Sequence, residues 1–367
     1  MKKLLLIILC MVLIVPTGIA YAEDSVINAY ATSKEEAVVN TITFPEGETA
    51  YTEELKLSQG ALIINIAEKQ DVKYSMLTVT VYSDAQKKTR VGSVTRFYGD
   101  EKDVTEKTID ITKDGAYTVT YELSRSKSDP QEISFDVTYF EVLNKQQTLK
   151  NGKAATGYLS YNLKESLFKV TIEETGYISV NMKSANEYAS GYVAFLDSKK
   201  KEIQKEEYVN VSKGDTMYYG VKKGTYYIKV RSSMGVYSIS YSFHKVKDNG
   251  AAKKDKATVL KVGGKESTGI ILADSKETTA DWFKFTLKES TKIAIKISGN
   301  TNNTIRFEIE SDSVKFLWNN LKITNVRKED TGTLTKALPK GTYYIKVYKG
   351  TYGTSGNYSI QIQKEKK

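Results

Sequence analysis

The stretch Lys340-Gly341-Thr342-Tyr343-Tyr344-Ile345-Lys346-Val347 repeats, almost unchanged, the earlier stretch Lys223-Gly224-Thr225-Tyr226-Tyr227-Ile228-Lys229-Val230. A weaker third copy reads Asp114-Gly115-Ala116-Tyr117-Thr118-Val119-Thr120-Tyr121. The aligned glycines are separated by 109 and then by 117 residues. Solenoid repeats have periods of roughly 20–50 residues, so these longer spacings fit whole domains. The sequence therefore predicts three domain-sized units that share this motif.

Each copy of the motif alternates apolar and polar residues after its glycine, which is the period of a β-strand. The predicted core face carries Tyr117, Val119 and Tyr121, then Tyr226, Ile228 and Val230, then Tyr343, Ile345 and Val347. The opposite faces carry Thr118, Thr120 and Glu122, then Tyr227, Lys229 and Arg231, then Tyr344, Lys346 and Tyr348. Because the last two outward faces are both aromatic and basic, we predict that their six residues bind a ligand.

The second and third units correspond well beyond the motif. Leu167-Phe168-Lys169-Val170 aligns with Trp282-Phe283-Lys284-Phe285, and Tyr237-Ser238-Ile239-Ser240-Tyr241 aligns with Tyr358-Ser359-Ile360-Gln361-Ile362. A whole domain has therefore been duplicated. In the first unit only the repeat strand and the general pattern match, so its relation to the other two stays open.

Many short strands separated by Gly, Asn, Asp and Lys turns predict an all-β fold of tandem antiparallel β-sandwiches, jelly-roll-like in character. A small, charged stretch without apolar periodicity predicts a linker between the second and third units. The predicted organisation is a signal peptide over 1–22, sandwich domains over 23–143, 144–247 and 257–367, and the linker over 248–256.

The first 22 residues have the features of a secretory signal peptide. Lys2 and Lys3 precede an apolar run over 4–15, and Ala20-Tyr21-Ala22 offers small residues for cleavage. The run is shorter than the roughly 20 residues of a transmembrane helix. Cleavage would also remove Cys10, the only cysteine, so the mature chain would form no disulfide. We expect a secreted bacterial protein, extracellular or associated with the cell surface.

The chain has a net charge of +10, and loss of Lys2 and Lys3 would lower it to +8. Outside the cell, a basic surface favours anionic wall polymers, acidic glycans or acidic matrix proteins. The alternative is that interspersed Lys and Glu side chains only solvate the strand faces. The sequence contains no nucleic-acid-binding motif and no second apolar span, so we expect neither nucleic acid as a partner nor a membrane span in the mature chain.

The third unit resembles the bacterial pre-peptidase C-terminal domain, a β-sandwich module of secreted peptidases related to the collagen-binding domains of clostridial collagenases. The resemblance rests on Thr268-Gly269-Ile270, Asp281-Trp282-Phe283-Lys284-Phe285, an apolar strand over 293–297, the repeated motif and Gly356-Asn357-Tyr358-Ser359-Ile360. The second unit looks like a diverged copy in which Ser166 stands where Asp281 does.

The resemblance implies two kinds of site. Family members bind calcium through acidic residues, which makes Asp274 and Asp281 candidate ligands for a cation that prefers several hard oxygens. The segment upstream is Lys-rich, however, where calcium-binding members carry an acidic leader, so we expect no obligatory cofactor. Family collagen binders use exposed tyrosines, which implies contact through Tyr227, Tyr344 and Tyr348. The alternative is that these rings cover a neighbouring strand or a domain interface.

Catalysis is not favoured by the residue inventory. Nucleophile–base arrangements and His/Cys zinc sites need residues that the mature chain lacks, because it has one histidine, His244, and no thiol. Paired carboxylates for glycoside hydrolysis cannot be singled out among 44 acidic residues. The sequence therefore predicts a non-catalytic adhesion protein for collagen-like protein, polysaccharide or cell wall. The alternative is a structural spacer or an accessory protein of a secreted peptidase or cell-wall complex.

Overall fold

The computed structural model describes residues 37–68, 75–97, 104–125, 132–232, 235–312, 323–326 and 331–365. The predicted signal peptide lies outside these described residues. Strands dominate the described chain, and its two helical segments are single 3-10 turns at Val211–Lys213 and Lys254–Lys256. The strands form six sheets, which confirms the predicted all-β tandem sandwich fold.

The first sandwich packs two four-stranded sheets, with strand orders β1-β8-β3-β6 and β2-β7-β4-β5. Its strands are β1 Ala37–Phe44, β2 Ala50–Leu57, β3 Gly60–Glu68, β4 Met76–Tyr82, β5 Arg90–Phe97, β6 Val104–Ile111, β7 Gly115–Ser124 and β8 Ile133–Leu143. Apolar side chains from both sheets, among them Ile64, Val79 and Val119, form one buried core.

The second sandwich has sheets of order β10-β17-β12-β15 and β14-β13-β16-β11-β9. Its strands are β9 Gln147–Thr148, β10 Ala154–Leu159, β11 Glu165–Ile172, β12 Gly176–Lys183, β13 Ser190–Leu196, β14 Glu202–Asn210, β15 Thr216–Val221, β16 Gly224–Arg231 and β17 Gly235–Lys245. Phe168, Val180 and Phe195 lie at the centre of a core to which both sheets contribute.

The third sandwich repeats this arrangement with sheets of order β19-β26-β21-β24 and β18-β20-β25-β22-β23. Its strands are β18 Thr258–Val259, β19 Ser267–Ile271, β20 Ala280–Leu287, β21 Thr291–Thr301, β22 Ile305–Glu310, β23 Ile323–Val326, β24 Thr331–Leu338, β25 Gly341–Lys349 and β26 Gly356–Lys364. Its core is built from both sheets, with Phe283, Phe285 and Phe307 fully buried.

All three sandwiches share one topology. We call the sheets that contain the repeated strands β7, β16 and β25 the front sheets, and their partners the back sheets. The second and third sandwiches match strand for strand, and the first has the same order without the short parallel strand represented by β9 and β18. The first sandwich is therefore a third copy of the same topology, which its sequence left open.

The repeated motif forms a tyrosine corner in every sandwich. The turn before the motif carries the chain from a back sheet to a front sheet, and the hydroxyl of the first tyrosine donates to the carbonyl oxygen four residues upstream. These bonds are Tyr117 to Lys113 at 2.7 Å, Tyr226 to Lys222 at 3.1 Å and Tyr343 to Pro339 at 2.6 Å. Such a bond ties the crossover turn to the ring that packs on the core.

The predicted core faces of the three motif strands are confirmed. Eight of the nine predicted residues are buried, and the ninth, Tyr226, is half-buried against the core. Tyr226 stacks on Phe195 with ring centroids 5.2 Å apart, and Tyr343 stacks on Phe285 at 5.1 Å. Each corner tyrosine thus contributes a buried ring as well as a hydrogen bond.

The first and second sandwiches meet through a small apolar cluster and a polar centre. The cluster combines Ala37, Ala61, Ile63, Phe140 and Val142 of the first sandwich with Tyr158, Leu163 and Val236 of the second. At its edge the Asp110 carboxylate accepts hydrogen bonds from the hydroxyl of Tyr158, from Ser160 Oγ at 2.9 Å and from Asn162 Nδ2 at 2.9 Å. Three donors on one carboxylate fix the orientation of this junction.

The second and third sandwiches meet through backbone pairing at Gly220. Its N–H donates to Ser355 Oγ at 2.8 Å, and its carbonyl oxygen accepts from the N–H of Ala273 at 2.8 Å. Gly220 also forms a parallel bridge with Leu272. A Cβ at position 220 would lie far inside contact distance of the Ile271 carbonyl oxygen, so the close approach requires glycine.

The two junctions are equivalent in the repeat. Asp110 lies opposite Ala61, the second residue of β3, and Gly220 lies opposite Tyr177, the second residue of β12. Their partners also correspond, because Ser160 directly follows β10 and Leu272 directly follows β19. The same edge of each back sheet therefore receives the same end of the next sandwich.

The segment 248–256, predicted as a linker, lies along the edge of β20. Ala251 and Trp282 exchange backbone hydrogen bonds of 2.8 and 3.3 Å, and Asn249 donates its N–H to Thr268 at 2.9 Å. The segment therefore extends the front sheet of the third sandwich and leaves little freedom between the second and third units.

We expect Gly220→Ala to open the second junction without unfolding either sandwich. The added methyl would collide with the backbone of Ile271, which cannot move aside as a flexible side chain could. At least two interfacial hydrogen bonds would be lost. Small-angle X-ray scattering should show a larger radius of gyration with unchanged circular dichroism. Gly224→Ala is the matched control, because the nearest atom to its added Cβ is 3.6 Å away. Identical scattering from the Gly220→Ala variant and the unchanged protein would contradict the role given to Gly220.

Candidate binding face

The predicted residues of the second sandwich lie together on the outer face of its front sheet. Tyr227, Lys229 and Arg231 alternate with buried Ile228 and Val230 along β16. Tyr227 and Lys229 are half-buried, whereas Arg231 is exposed. Lys200 from the hairpin between β13 and β14 covers the Tyr227 ring, with Nζ 5.2 Å from its centroid. The three predicted residues therefore share one outer face, but the ammonium group of Lys200 covers part of the Tyr227 ring.

A more exposed aromatic pair lies beside it, on β13 and β14. Tyr192 and Tyr208 face each other across these strands, with ring centroids 5.8 Å apart and planes at 72°. Tyr192 is 47% exposed and Tyr208 is 61% exposed. Tyr192 is also the direct cross-strand neighbour of Arg231. The structure therefore joins one predicted residue, Arg231, to two tyrosines that the repeated motif did not indicate.

Arg231 is held by a carboxylate. Its Nε and Nη2 atoms donate to the two oxygens of Glu206, each at 2.7 Å, which is the bidentate geometry of a strong ion pair. The hydrogen bonds that Arg231 donates to Glu206, together with the negative charge of that carboxylate, raise the pKa of Arg231. Glu165 lies opposite Arg231 on the other neighbouring strand. The guanidinium is thereby fixed in position and its charge is compensated.

Exposed tyrosines concentrate at one end of the second sandwich. Among the described residues, six of the nine exposed large hydrophobic side chains are tyrosines, and four of those six belong to this sandwich: Tyr161, Tyr188, Tyr192 and Tyr208. Tyr161 and Tyr188 lie in loops that converge at this end, where Ser232 bonds to Lys164 and Ser190. Lys164 Nζ lies 4.8 Å from the Tyr161 ring centroid, so a cation of the same chain covers this ring as it does at Tyr227. The Tyr192–Tyr208 pair is therefore the candidate interaction surface.

The corresponding face of the third sandwich is covered by its own charges. Tyr344, Lys346 and Tyr348 point outward on β25 as predicted, and each is half-buried. Lys254 of segment 248–256 lies 4.7 Å above the Tyr344 ring and pairs with Glu310 at 3.0 Å. These rings are therefore less available than Tyr192 and Tyr208.

Tyr348 is engaged within the same sheet. Its hydroxyl donates to Glu308 Oε1 at 2.7 Å, and Lys346 Nζ lies 4.9 Å from its ring centroid. Burial, with the hydrogen bond to Glu308 second, raises the pKa of Tyr348 to about 12. Lys346 also lies 6.0 Å from the ring of Trp282 on the neighbouring strand. The aromatic-cationic contacts predicted for a ligand are here made between side chains on the outer face of the same sheet.

The front sheet of the first sandwich carries single exposed aromatic residues, Tyr51 at 47% and Phe97 at 57%, and its described residues form no exposed pair of tyrosines. Of the predicted outward residues on β7, Thr118 and Thr120 are buried and Glu122 is exposed. The loop between β4 and β5 reaches across this face, and Lys87 Nζ donates to Thr52 Oγ1 at 3.0 Å. Among the described residues, the second sandwich is the one whose front face presents two exposed tyrosine rings in contact with each other.

The structure gives the two calcium candidates different neighbours. Asp281 accepts a hydrogen bond of 2.6 Å from the Tyr358 hydroxyl and lies near Asp248. The negative charge of Asp274 instead acts on Tyr226 of the second sandwich and on Lys349 of the third. Within the described part of the chain, no three His, Cys, Asp or Glu side chains are grouped so that they could hold a metal. Calcium binding by Asp274 and Asp281 stays a prediction.

Asp281 is nevertheless electrostatically unusual. Burial, reinforced by the negative charge of Asp248, raises the pKa of Asp281 to about 7, although the hydrogen bond from Tyr358 opposes the shift. Burial also raises the pKa of Asp248. Lys349 is also buried, and burial lowers its pKa to about 8 while its Nζ donates to the Ala273 carbonyl at 3.1 Å.

The lone histidine has packing partners. His244 is exposed near the end of β17, as predicted, and it stacks on Tyr177 with ring centroids 4.6 Å apart and planes at 16°. Its Nε2 lies 3.2 Å from Ser179 Oγ. These contacts make His244 part of the outer surface of a back sheet.

Comparisons with known proteins give little guidance on function. No family model and no curated protein matches the sequence. A likeness to the N-terminal CBM22-1-CBM22-2 tandem domain of Xyn10C from Paenibacillus barcinonensis has 12% identity, a TM-score of 0.21 and coverage of 58% of this chain and 86% of that one. A likeness to a chain of bacteriophage PM2 has 9% identity, a TM-score of 0.15 and coverage of 89% and 100%. Such low TM-scores support no argument about function.

None of the helical segments in the described residues has the length and apolar character that a bilayer crossing requires.

We expect the stability of the third sandwich to fall as pH rises from 4 to 7. A carboxyl whose pKa increases on folding, here from 3.8 to about 7, stabilises the fold while it stays protonated, and this contribution is lost through the folded pKa. The free energy of unfolding of the third sandwich would fall by up to about 4 kcal/mol over this pH range. Both tryptophans, Trp282 and Trp318, belong to the third unit, so urea unfolding followed by tryptophan fluorescence reports on it.

Asp281→Asn should flatten this pH dependence, because asparagine still accepts the Tyr358 hydrogen bond but does not ionise. Asp274→Asn is the control and should keep the slope, since its neighbours are Tyr226 and Lys349. A slope that persists in the Asp281→Asn variant would show that other groups cause it.

Proposed function

We propose that this protein is a secreted, non-catalytic binding protein that attaches to an extracellular polymer through the front face of its second sandwich. The observation that supports it best is the open Tyr192–Tyr208 pair beside the fixed guanidinium of Arg231. Tyrosine rings give large contact areas at low entropic cost, and tyrosine and arginine are enriched among residues that dominate binding.

The ligands that fit this surface are collagen-like protein, polysaccharide and cell wall. Tyr227 and Lys229 continue the face along β16 and extend the area that a polymer could contact. The excess of positive charge over the whole chain, +10, would also attract anionic polymers. A flat sheet face suits a long, repetitive ligand better than a small molecule, which needs a concave pocket.

A second, weaker contact is proposed at Tyr344, Lys346 and Tyr348 of the third sandwich. Binding there requires that Lys254 leave the Tyr344 ring, so we expect lower affinity than at the second sandwich. Two sites on one chain reinforce each other when both can engage the same polymer. The packed junction between the sandwiches would keep their separation constant.

We also propose kinship between the third sandwich and the pre-peptidase C-terminal module. The residues of the resemblance fall on β19, β20, β21, β25 and β26, the strands that build both of its sheets. The proposal is consistent with a binding role and adds no catalytic residue.

A structural spacer is the second candidate function. It is favoured by the two equivalent junctions, where Asp110 and Gly220 each hold the following sandwich in a fixed orientation. In that case the exposed tyrosines of the second sandwich would contact a partner protein or another domain of the same assembly.

The test is retention of residues 23–367 on immobilised collagen, insoluble glycans and purified cell wall at low and high salt. We expect retention on at least one matrix that survives high salt, because apolar ring contacts are little screened whereas exposed charge contacts are strongly screened. Retention everywhere that high salt abolishes would indicate only a basic surface. Retention on no matrix would reject the binding function and favour the spacer.

A further inference from the structure

The Tyr192–Tyr208 pair has the form of a shallow corner. The rings stand at 72° to each other, and both remain about half exposed or more. Their mutual contact restricts ring motion before any ligand arrives, which reduces the entropy lost on binding. A pyranose ring presents a flat face of C–H groups that can pack on a tyrosine ring, whose face carries partial negative charge. Two rings at an angle suit consecutive sugar units that are rotated relative to each other.

The charged groups beside the corner, the Arg231 guanidinium and the Glu206 and Glu165 carboxylates, sum to −1 and give no excess of positive charge. Arg231 uses Nε–H and one Nη2–H for Glu206, so three of its five N–H donors remain for a ligand. Glu206 retains lone pairs that can accept from hydroxyl groups. A second carboxylate, Glu165, faces Arg231 from the neighbouring strand. The site thus offers donors and acceptors together, while an anionic ligand would meet two carboxylates around one guanidinium.

We propose that Tyr192, Tyr208, Arg231 and Glu206 form a binding site for an uncharged polysaccharide. The rings pack on the apolar faces of sugar units, and the ion pair exchanges hydrogen bonds with their hydroxyl groups. This inference rests on the proposed function and narrows its ligand to one chemical class. The overall basic charge of the chain, taken alone, would instead favour an acidic polymer as the ligand.

The experiment compares three kinds of matrix with the mature chain, residues 23–367. The uncharged glycans are cellulose and insoluble β-1,3-glucan, the acidic polymer is immobilised polygalacturonate, and the protein polymer is collagen. We expect salt-resistant retention on an uncharged glycan. The double variant Tyr192→Ala with Tyr208→Ala should weaken it about ten-fold or more. Tyr192→Phe with Tyr208→Phe should keep most of it, because the stacking faces remain.

The control variant is Tyr352→Ala, since Tyr352 is also half exposed but belongs to the third sandwich. It should leave retention unchanged. Salt-resistant retention on collagen or polygalacturonate, unaffected by the alanine pair, would overturn the glycan site while the general binding function stood. Retention on no matrix would overturn both.

A charge variant tests the same site independently. Glu206→Gln leaves the Arg231 charge without its bidentate carboxylate, so we expect new retention on polygalacturonate at low salt that high salt removes. Retention on the uncharged glycan should fall as the guanidinium loses its fixed position. No change on either matrix would contradict the role assigned to the ion pair. Circular dichroism of each variant checks that the sandwich remains folded.

Discussion

The hydrogen bond between the corner tyrosine and the carbonyl four residues upstream is the constraint on which the fold depends. It occurs at Tyr117, Tyr226 and Tyr343, and each time it closes the turn that passes from a back sheet to a front sheet. The same ring packs on the core, so one residue specifies both the turn and the distance between sheets. The following strand then has a determined inward face, and its alternate residues must point outward. The position of the candidate binding residues follows from this register.

The repetition of one sandwich also determines how the units assemble. Each of the first two back sheets contacts the next sandwich at the same edge. One residue at that edge then determines the character of the junction, which is polar at Asp110 and closely packed at Gly220. The back sheets of the first and second sandwiches carry these contacts, and the edge strand β14 of the second front sheet adds another, since Glu207 accepts a hydrogen bond of 2.7 Å from Asn303 Nδ2 of the third sandwich. The three front faces have then diverged. Threonines and a loop cover the first, the second presents open tyrosines, and Lys254 covers the third.

The sequence predicted the features that depend on local alternation and repetition. The all-β class, the inward faces of the three motif strands and the outward position of Tyr227, Tyr344 and their neighbours all follow from a period of two. It could not predict which outward rings remain open, because covering side chains come from distant parts of the chain, as Lys254 does for Tyr344. Tyr192 and Tyr208 have no counterpart in the repeated motif, and they meet because of the register between β13 and β14, which the sequence does not specify. The family resemblance makes Asp281 a candidate calcium ligand, but only the structure shows that this carboxyl is buried beside Asp248.

The most direct test of the central claim is the urea unfolding midpoint of Tyr343→Phe, followed by tryptophan fluorescence, against that of Tyr344→Phe. The first change removes the corner hydroxyl and leaves the Pro339 carbonyl without its donor, which should lower stability by about 1–3 kcal/mol. The second removes a hydroxyl from the adjacent outward residue of the same motif and should have almost no effect. Equal midpoints for the two variants would contradict the account, because the corner bond would then contribute nothing beyond the buried ring.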